Sequence, residues 1–220
     1  MCQAPSTSTP SPDGSLPVLL AEPRSCGCGG HGHGAGDTPK TVHSLQDALQ
    51  VDESVRWVDA SHDLGFPAVP FPSLRIYRSA GEAMLRALVL RHHTLLLDSP
   101  VAHLFPTDPE KFARGTAKTA DFIVEACGGP ARFSTEFGHT CMRTRHFPFT
   151  IDEAGRETWL QALWQAFNDV GFPTDVREEY WNWVEAMSIR MINRRTTKAQ
   201  PARHPFSEMS ATAIPESTTP

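Results

Sequence analysis

Apolar residues recur at intervals of three and four along the second half of the chain, the spacing that places side chains on one face of a helix. One such stretch carries Trp159, Leu160, Leu163, Trp164, Phe167 and Val170. The next carries Val176, Tyr180, Trp183, Val184, Met187 and Met191. Together with two earlier stretches, this pattern predicts helices over about 80–97, 108–126, 152–170 and 175–194.

Three of these helices are preceded by a hydroxyl residue with a glutamate three positions later, which is the spacing of a capping box. The pairs are Ser79 with Glu82, Thr107 with Glu110, and Thr150 with Glu153. Each hydroxyl can accept from an amide of the first turn while the carboxylate reaches back to the cap. No convincing pair of alternating strands accompanies the helices, so the sequence predicts an all-α domain.

The composition of the flanks differs from that of the helical region. Residues 1–40 are rich in Pro, Ser, Thr and Gly and cannot bury enough apolar surface to offset their ordering entropy, which predicts disorder. Residues 41–73 are expected to form a mixed linker with a short helix near Leu45, followed by a proline-rich extended run. The folded domain is expected over 74–195, and the Ser/Thr/Pro-rich tail over 196–220 is expected to be disordered.

Charge and cysteine content narrow the classes of function. The 220 residues are 40% hydrophobic with a net charge of −5, which suits one globular domain and gives no basic excess for nucleic acid. The apolar run at residues 16–20 is too short to span a bilayer or to form the core of a secretory signal. The five cysteines are an odd, scattered set, which favours reduced thiols. We therefore expect a cytoplasmic protein without a membrane segment.

The connection between the second and third helices, from about residue 127 to 151, is long for a helical domain. It ends in Arg143-Thr144-Arg145-His146-Phe147-Pro148-Phe149. Neutral imidazole is a common ligand for iron, and the neighbouring phenylalanines could line a flat apolar cofactor. From these residues alone a packing or surface role for His146 is the stronger interpretation, since the chain has ten histidines.

Four short motifs follow one another through the helical half of the chain. They are Leu104-Phe105-Pro106, Cys127-Gly128-Gly129-Pro130-Ala131-Arg132-Phe133-Ser134, Arg145-His146-Phe147-Pro148-Phe149 and Arg156-Glu157-Thr158-Trp159-Leu160. In this order and spacing they resemble the group II truncated haemoglobins over about residues 74–195. The resemblance implies a truncated globin fold, a two-over-two helical sandwich that encloses haem b, with His146 as the proximal ligand of the haem iron. It implies further haem contacts from Phe105, Lys118, Phe122, Arg145, Phe149 and Trp159.

The same resemblance implies a distal, ligand-binding side of the haem. Gly115, Thr119 and Phe122 are spaced by four and three, so they share one face of the second helix. The family's distal ligand-binding positions fall on Gly115, Thr119, Trp159 and His92, and His92 stands where the family commonly has a tyrosine. We expect Trp159, Thr119 and His92 to donate hydrogen bonds to an iron-bound ligand.

Two adjacent histidines compete for the inward position on the first helix. His92 shares its face with leucines and His93 shares its face with Arg86, so His92 is the better inward candidate. A one-residue shift of the register would exchange them. A second interpretation of His92, as a core histidine bonded to a backbone carbonyl, is equally open, and so is ligation of the iron as a sixth ligand.

A separate cluster lies near the N-terminus, where two thiols and two imidazoles fall within eight residues: Cys26, Cys28, His31 and His33. These four side chains could form a tetrahedral site for Zn or another soft metal. Their spacing is tighter than in structural zinc motifs and no apolar core surrounds them, which favours a flexible tail with incidental metal binding.

The sequence therefore predicts a haem protein that binds oxygen or another small diatomic ligand such as nitric oxide, with a reductase as a candidate partner. A haem-dependent dioxygenase or peroxidase-like activity toward nitric oxide or peroxide is compatible with this site. Two alternatives remain, because one fold hosts several functions. They are a globin-fold sensor that signals through its extensions, and a metal-handling protein that acts through the cysteine- and histidine-containing tail.

Overall fold

The computed structural model describes residues 57, 58, 65–138 and 140–212. Within these residues the chain forms two short strands, one 3₁₀ helix and seven α-helices. In chain order they are β1 (Trp57–Val58), β2 (Val69–Pro70), α1 (Arg75–Leu97), the 3₁₀ helix (Ala102–Leu104), α2 (Pro109–Ala126), α3 (Arg132–Phe137), α4 (Met142–His146), α5 (Glu153–Asp169), α6 (Thr174–Met191) and α7 (Phe206–Thr212). The all-α fold class predicted from the sequence is confirmed.

The four helices predicted from periodicity correspond to α1, α2, α5 and α6. Helix α1 begins earlier than predicted, at Arg75, and it consists of two helical stretches that meet at a kink at Gly81, whose φ of 73° and ψ of 167° are not helical. The predicted cap at Ser79 lies two residues before this kink. No helix in the described part of the chain is long and apolar enough to cross a membrane.

The capping boxes predicted for α2 and α5 are wrong, because aspartates that follow the hydroxyl residues cap these helices instead. The Asp108 carboxylate accepts from the backbone N–H groups of Glu110 at 2.8 Å and Lys111 at 3.3 Å. Asp152 accepts from the backbone N–H of Gly155 at 2.8 Å. A carboxylate also complements the partial positive charge of a helix N-terminus, an advantage that a hydroxyl lacks.

Two helix pairs, α1 with α2 and α5 with α6, enclose the core. Helix α1 packs against α2 and α5, and α6 packs against α1 and α5. The side chains that they bury include Leu85, Leu88, Leu160, Phe167 and Trp183. This arrangement is the expected two-over-two helical sandwich, and it leaves space between the layers for a site.

Part of the proline-rich run predicted as extended forms strand β2. It pairs with β1 in an antiparallel ladder of two residues. Close by, Arg190 of α6 donates to the Pro67 carbonyl at 2.9 Å, so this flank is attached to the helical core. The disorder predicted for residues 1–40 and the short helix predicted near Leu45 lie outside the described residues.

Residues 196–212 of the tail predicted as disordered instead lie against α5 and α6, and residues 213–220 lie outside the described residues. The indole N–H of Trp181 donates to the His204 carbonyl at 2.7 Å. The ring of Phe206, the first residue of α7, packs against Trp164 at 5.5 Å between centroids. The prediction was wrong here because a polar segment needs only a few anchors when the core offers an apolar groove and buried acceptors.

Candidate cofactor site

The helices and the loop after α4 enclose a cavity of about 790 Å³, a size suited to a cofactor or other small molecule. Its walls are mainly apolar and come from α1, α2, α5, α6 and the chain between α2 and α5. The structure brings every predicted site residue of the folded domain to this cavity: His92, Phe105, Gly115, Lys118, Thr119, Phe122, Arg145, His146, Phe149 and Trp159.

His146 is the last residue of the five-residue helix α4 and lines one side of the cavity. Its Nδ1–H donates to the carbonyl of Met142 at 2.7 Å. In a neutral imidazole only one ring nitrogen carries a proton, so this bond leaves a lone pair on Nε2. No residue in the described part of the chain bonds Nε2. The imidazole is thus held in the tautomer that a metal ligand needs.

His92 is buried in the wall of the cavity rather than free within it. Its Nε2–H donates to the backbone carbonyl of Trp159 at 3.0 Å. Burial lowers the pKa of His92 to about 3, with a smaller contribution from His93, so the ring is neutral. Its single N–H is already used, and the predicted donation from His92 to a ligand is therefore wrong. The alternative interpretation, a core histidine bonded to a backbone carbonyl, describes His92.

His93, which the sequence analysis ranked behind His92 for the inward position, also lines the cavity. Its Nδ1 lies 3.1 Å from the hydroxyl oxygen of Thr116, and its ring packs edge-to-face on Phe105. Burial lowers the pKa of His93 to about 4, so this ring is neutral as well. When Thr116 donates to Nδ1, the ring proton resides on Nε2 and is available to a ligand. The sequence signal was the adjacent histidine pair, which face counting alone could not resolve.

Thr119 and Trp159 are the other two residues predicted to donate to a ligand, and only Trp159 has a donor group that is not already bonded. The Thr119 hydroxyl donates to the carbonyl of Gly115 in its own helix at 3.2 Å, so donation from Thr119 to a ligand would require it to leave this bond and stays a prediction. Gly115 lines the cavity, but an added Cβ there would meet no atom within 4 Å, so close packing does not require a glycine. The indole N–H of Trp159 has no hydrogen-bond partner among the described residues and lines the cavity.

Two cationic side chains border the cavity close to each other. The Lys118 ammonium lies 4.1 Å from the centroid of the Phe137 ring. Burial lowers the pKa of Lys118, and the neighbouring charge of Arg145 lowers it further. Arg145 donates to the Phe137 carbonyl at 2.6 Å and stacks over Phe133. Two adjacent cations favour an anionic group such as a carboxylate at this edge.

These features together fit a haem. An apolar cavity suits a flat macrocycle, a bare imidazole nitrogen suits its iron, and a cationic edge suits its carboxylates. Phe105 and Phe122 supply apolar contact within the cavity. The fold and the site therefore define a globin-like haem protein.

Comparison with known proteins agrees with this class. The family model of the bacterial-like globins matches residues 76–193, and the chain belongs to this family. The group 2 truncated hemoglobin YjbI of Bacillus subtilis (strain 168) is 30% identical over 119 residues, which are 54% of this chain and 88% of that protein. The resemblance to group II truncated haemoglobins is thus confirmed, and the protein is a haem-binding globin.

Solved structures support the same assignment. Phosphate-bound Hell's gate globin IV is 47% identical, with a TM-score of 0.67 over 71% of this chain and 98% of that chain. The group II truncated hemoglobin from Bacillus anthracis is 26% identical, with a TM-score of 0.53 over 56% and 95%. The truncated oxygen-avid haemoglobin from Bacillus subtilis is 28% identical, with a TM-score of 0.51 over 54% and 98%.

The sequence also predicted a second metal site, in the N-terminal tail. Cys26, Cys28, His31 and His33 lie outside the described residues, so a zinc site there stays a prediction. Within residues 65–138 and 140–212, no group of three or more His, Cys, Asp or Glu side chains could hold a metal ion.

Proposed function

We propose that this globin binds haem b with His146 as the axial ligand and takes oxygen or another small diatomic ligand on the opposite side. The observation that carries the proposal is the bond from His146 Nδ1–H to the Met142 carbonyl, which leaves Nε2 free for iron. The relationship to an oxygen-avid haemoglobin favours oxygen as the ligand.

Different residues of the chain bind different parts of the haem in this proposal. When bound, the haem supplies the iron to which the gas coordinates. His146 would hold the iron through its free Nε2, and Lys118 and Arg145 would bind the carboxylates of the haem as cations. Phe105 and Phe149, which line the same cavity, exclude water from its faces.

On the distal side, Trp159 and His93 are the donors that remain for a bound ligand. Both side chains line the cavity, and both are neutral N–H groups in an environment of low polarity. Hydrogen bonds from such donors would hold a partly charged ligand more firmly than a nearly neutral one, because few other polar groups are there to compete. We expect Trp159 and His93 to favour oxygen over carbon monoxide for this reason.

We further propose that the bound haem can react with nitric oxide or peroxide when a reductase supplies electrons. The neutral donors Trp159 and His93 would hold the polar reactant in the cavity.

A sensor is the second candidate function, and it is favoured by the segment 193–212, which lies against helices that line the cavity. Turnover of nitric oxide or peroxide with a chemical reductant supports the enzyme, whereas ligand binding without turnover supports the carrier or sensor.

The axial assignment is tested by haem titration followed by absorption in the Soret region. The wild type should bind about one haem per chain with a sharp end point. His146→Ala should lose tight binding. The matched control is His103→Ala, which changes an exposed histidine that bonds the Pro100 carbonyl outside the cavity. A His146→Ala titration that superimposes on the wild type would contradict the proposal.

A further inference from the structure

Asn193 lies just beyond the end of α6 and makes hydrogen bonds to the loop that follows His146, through both its side chain and its backbone. Its side-chain Nδ2 donates to the His146 carbonyl at 3.0 Å and to the Phe149 carbonyl at 2.7 Å. Its Oδ1 accepts from the backbone N–H of Ile151 at 3.0 Å. Its own backbone N–H donates to the Ile151 carbonyl at 3.0 Å. One residue thus makes four hydrogen bonds to a single loop.

Besides the bonds from Asn193, two backbone hydrogen bonds hold this loop, from the Phe149 N–H to the His146 carbonyl at 3.1 Å and from the Arg194 N–H to the Ile151 carbonyl at 3.0 Å. The loop connects α4, which ends at His146, to α5, which begins at Glu153. The last carbonyls of a helix have no partner within the helix, and Pro148 has no N–H to offer. A helix of five residues is not stable by itself and depends on tertiary contacts. The bonds from Asn193 supply such contacts from a point 47 residues away in sequence.

Only an amide side chain can make this set of contacts. Two backbone carbonyls need donors and one backbone N–H needs an acceptor, and asparagine carries both on one short stem. The three partners also fix which end of the amide is nitrogen. An ionised aspartate would place an oxygen against two carbonyl oxygens, and an alanine would leave all three groups without this partner.

A second set of hydrogen bonds connects α4 to the C-terminal end of α6. The Arg143 guanidinium donates to the Arg190 carbonyl at 2.6 Å and to the Ile192 carbonyl at 3.4 Å. Helix α4 is thus attached to the end of α6 before and after His146. The orientation of the His146 ring depends on this attachment, because its Nδ1 bond to Met142 fixes the ring only relative to α4 itself.

We propose that Asn193 is a positioning residue for the proximal histidine, which holds the backbone after His146 so that its imidazole keeps one orientation toward the haem iron. This inference rests on the proposed role of His146 as the axial ligand. Groups that orient a metal ligand from behind affect metal affinity by about 10- to 100-fold. The effect of losing Asn193 therefore appears in the strength and geometry of the bond to His146 rather than on the distal side.

The test compares Asn193→Asp and Asn193→Ala with the wild type, all loaded with haem. Transfer of haem to an excess of apomyoglobin measures haem loss, and resonance Raman spectra of the ferrous proteins measure the iron–histidine stretching band. Both variants should lose haem about tenfold faster, and the band should shift or broaden. The matched control is Arg194→Ala, which removes an exposed side chain and keeps the backbone bond to Ile151.

The two readouts separate a positioning role from a general loss of stability. A variant that is merely less stable loses haem faster, yet its haem-loaded fraction keeps the wild-type stretching band. An unshifted band in both Asn193 variants would therefore overturn the inference, even if haem loss were faster. A five-coordinate ferrous wild-type protein without any iron–histidine band would instead overturn the axial role of His146, and the inference with it.

Discussion

The imidazole N–H of His92 donates to the backbone carbonyl of Trp159 across 3.0 Å, and the two rings meet edge-to-face with their centroids 4.6 Å apart. This contact joins α1 to α5 at the wall of the cavity. It fixes the positions of the backbone and the indole ring of Trp159, and it occupies the only N–H of His92. His92 therefore holds Trp159 at the cavity wall, and we expect any effect of His92 on a bound ligand to pass through Trp159.

Replacement of Trp159 by phenylalanine should speed dissociation of oxygen. The change keeps an aromatic ring in the cavity and removes the free indole N–H. A hydrogen bond to a partly charged ligand contributes about 1.5–3 kcal/mol, which corresponds to about tenfold to a hundredfold in the dissociation rate. Stopped-flow measurement of oxygen release gives this rate directly.

The matched control for this measurement is Trp164→Phe on the same helix. Trp164 packs against Trp181 and Phe206, outside the cavity lining, so its replacement should leave oxygen release unchanged. Equal rates for wild type and Trp159→Phe would show that the indole N–H does not contact the ligand.

The two buried histidines should make the protein less stable in acid. Burial lowers the pKa of His92 to about 3 and that of His93 to about 4, against about 6.5 in the unfolded chain. Between pH 6.5 and about 4 the unfolded state binds more protons, so the free energy of unfolding falls as the pH falls. Each histidine adds about 1.4 kcal/mol per pH unit to this slope, and neither adds to it above pH 6.5.

Urea unfolding of the haem-free protein at several pH values tests this expectation. His92→Gln removes one titrating group and keeps a donor for the Trp159 carbonyl, so the slope below pH 6.5 should become shallower. His103→Gln, at an exposed position, should leave the slope unchanged. Parallel curves for wild type and His92→Gln would mean that His92 is not held neutral by the fold.

Removal of one partner from a buried ion pair beside the cavity should lower the free energy of unfolding strongly. The Arg156 side chain is 1% exposed, and its Nη2 donates to the Glu185 carboxylate at 2.7 Å. Arg203 of the ordered C-terminal segment donates to the same carboxylate. Glu185→Gln would remove the buried countercharge of Arg156 and leave it the half-exposed Glu157, 3.0 Å from Nη1, so the variant should lose about 3 kcal/mol of stability.

The comparison for Glu185→Gln is Asp169→Asn, which breaks the half-exposed pair of Asp169 with Arg91. Such a surface pair contributes about 1 kcal/mol or less. Denaturant unfolding of both variants should therefore show a several-fold larger loss for Glu185→Gln. Equal losses would mean that the C-terminal segment and Arg156 do not share a buried acceptor.

Local sequence patterns predicted the elements of this fold better than its contacts. The spacing of apolar residues located the four long helices, because one buried stripe per helix repeats with the helical period. The same counting could not choose between His92 and His93, since the choice depends on which helix packs opposite each ring. It also gave no sign of Asn193, whose partners lie more than forty residues earlier in the chain.

The C-terminal segment shows a second limit of composition. Residues 196–212 are mostly polar, and their few apolar side chains do not repeat in a pattern. Phe206 nevertheless packs on Trp164, and the His204 carbonyl accepts from Trp181. Such anchors depend on the surface that the rest of the chain provides, so the segment's own sequence could not reveal them.

The cavity residues could be predicted because the family resemblance, rather than periodicity, supplied their register.

The most direct test of the central claim is restoration of the proximal bond by free imidazole in His146→Gly. This variant removes the ring and leaves a space in which imidazole can bind. The ferrous protein should lose the iron–histidine stretching band of the wild type, and added imidazole should restore a band at a similar frequency together with the Soret spectrum. A His146→Gly protein that keeps the wild-type band without imidazole would show that another residue ligates the iron, and the account would be wrong.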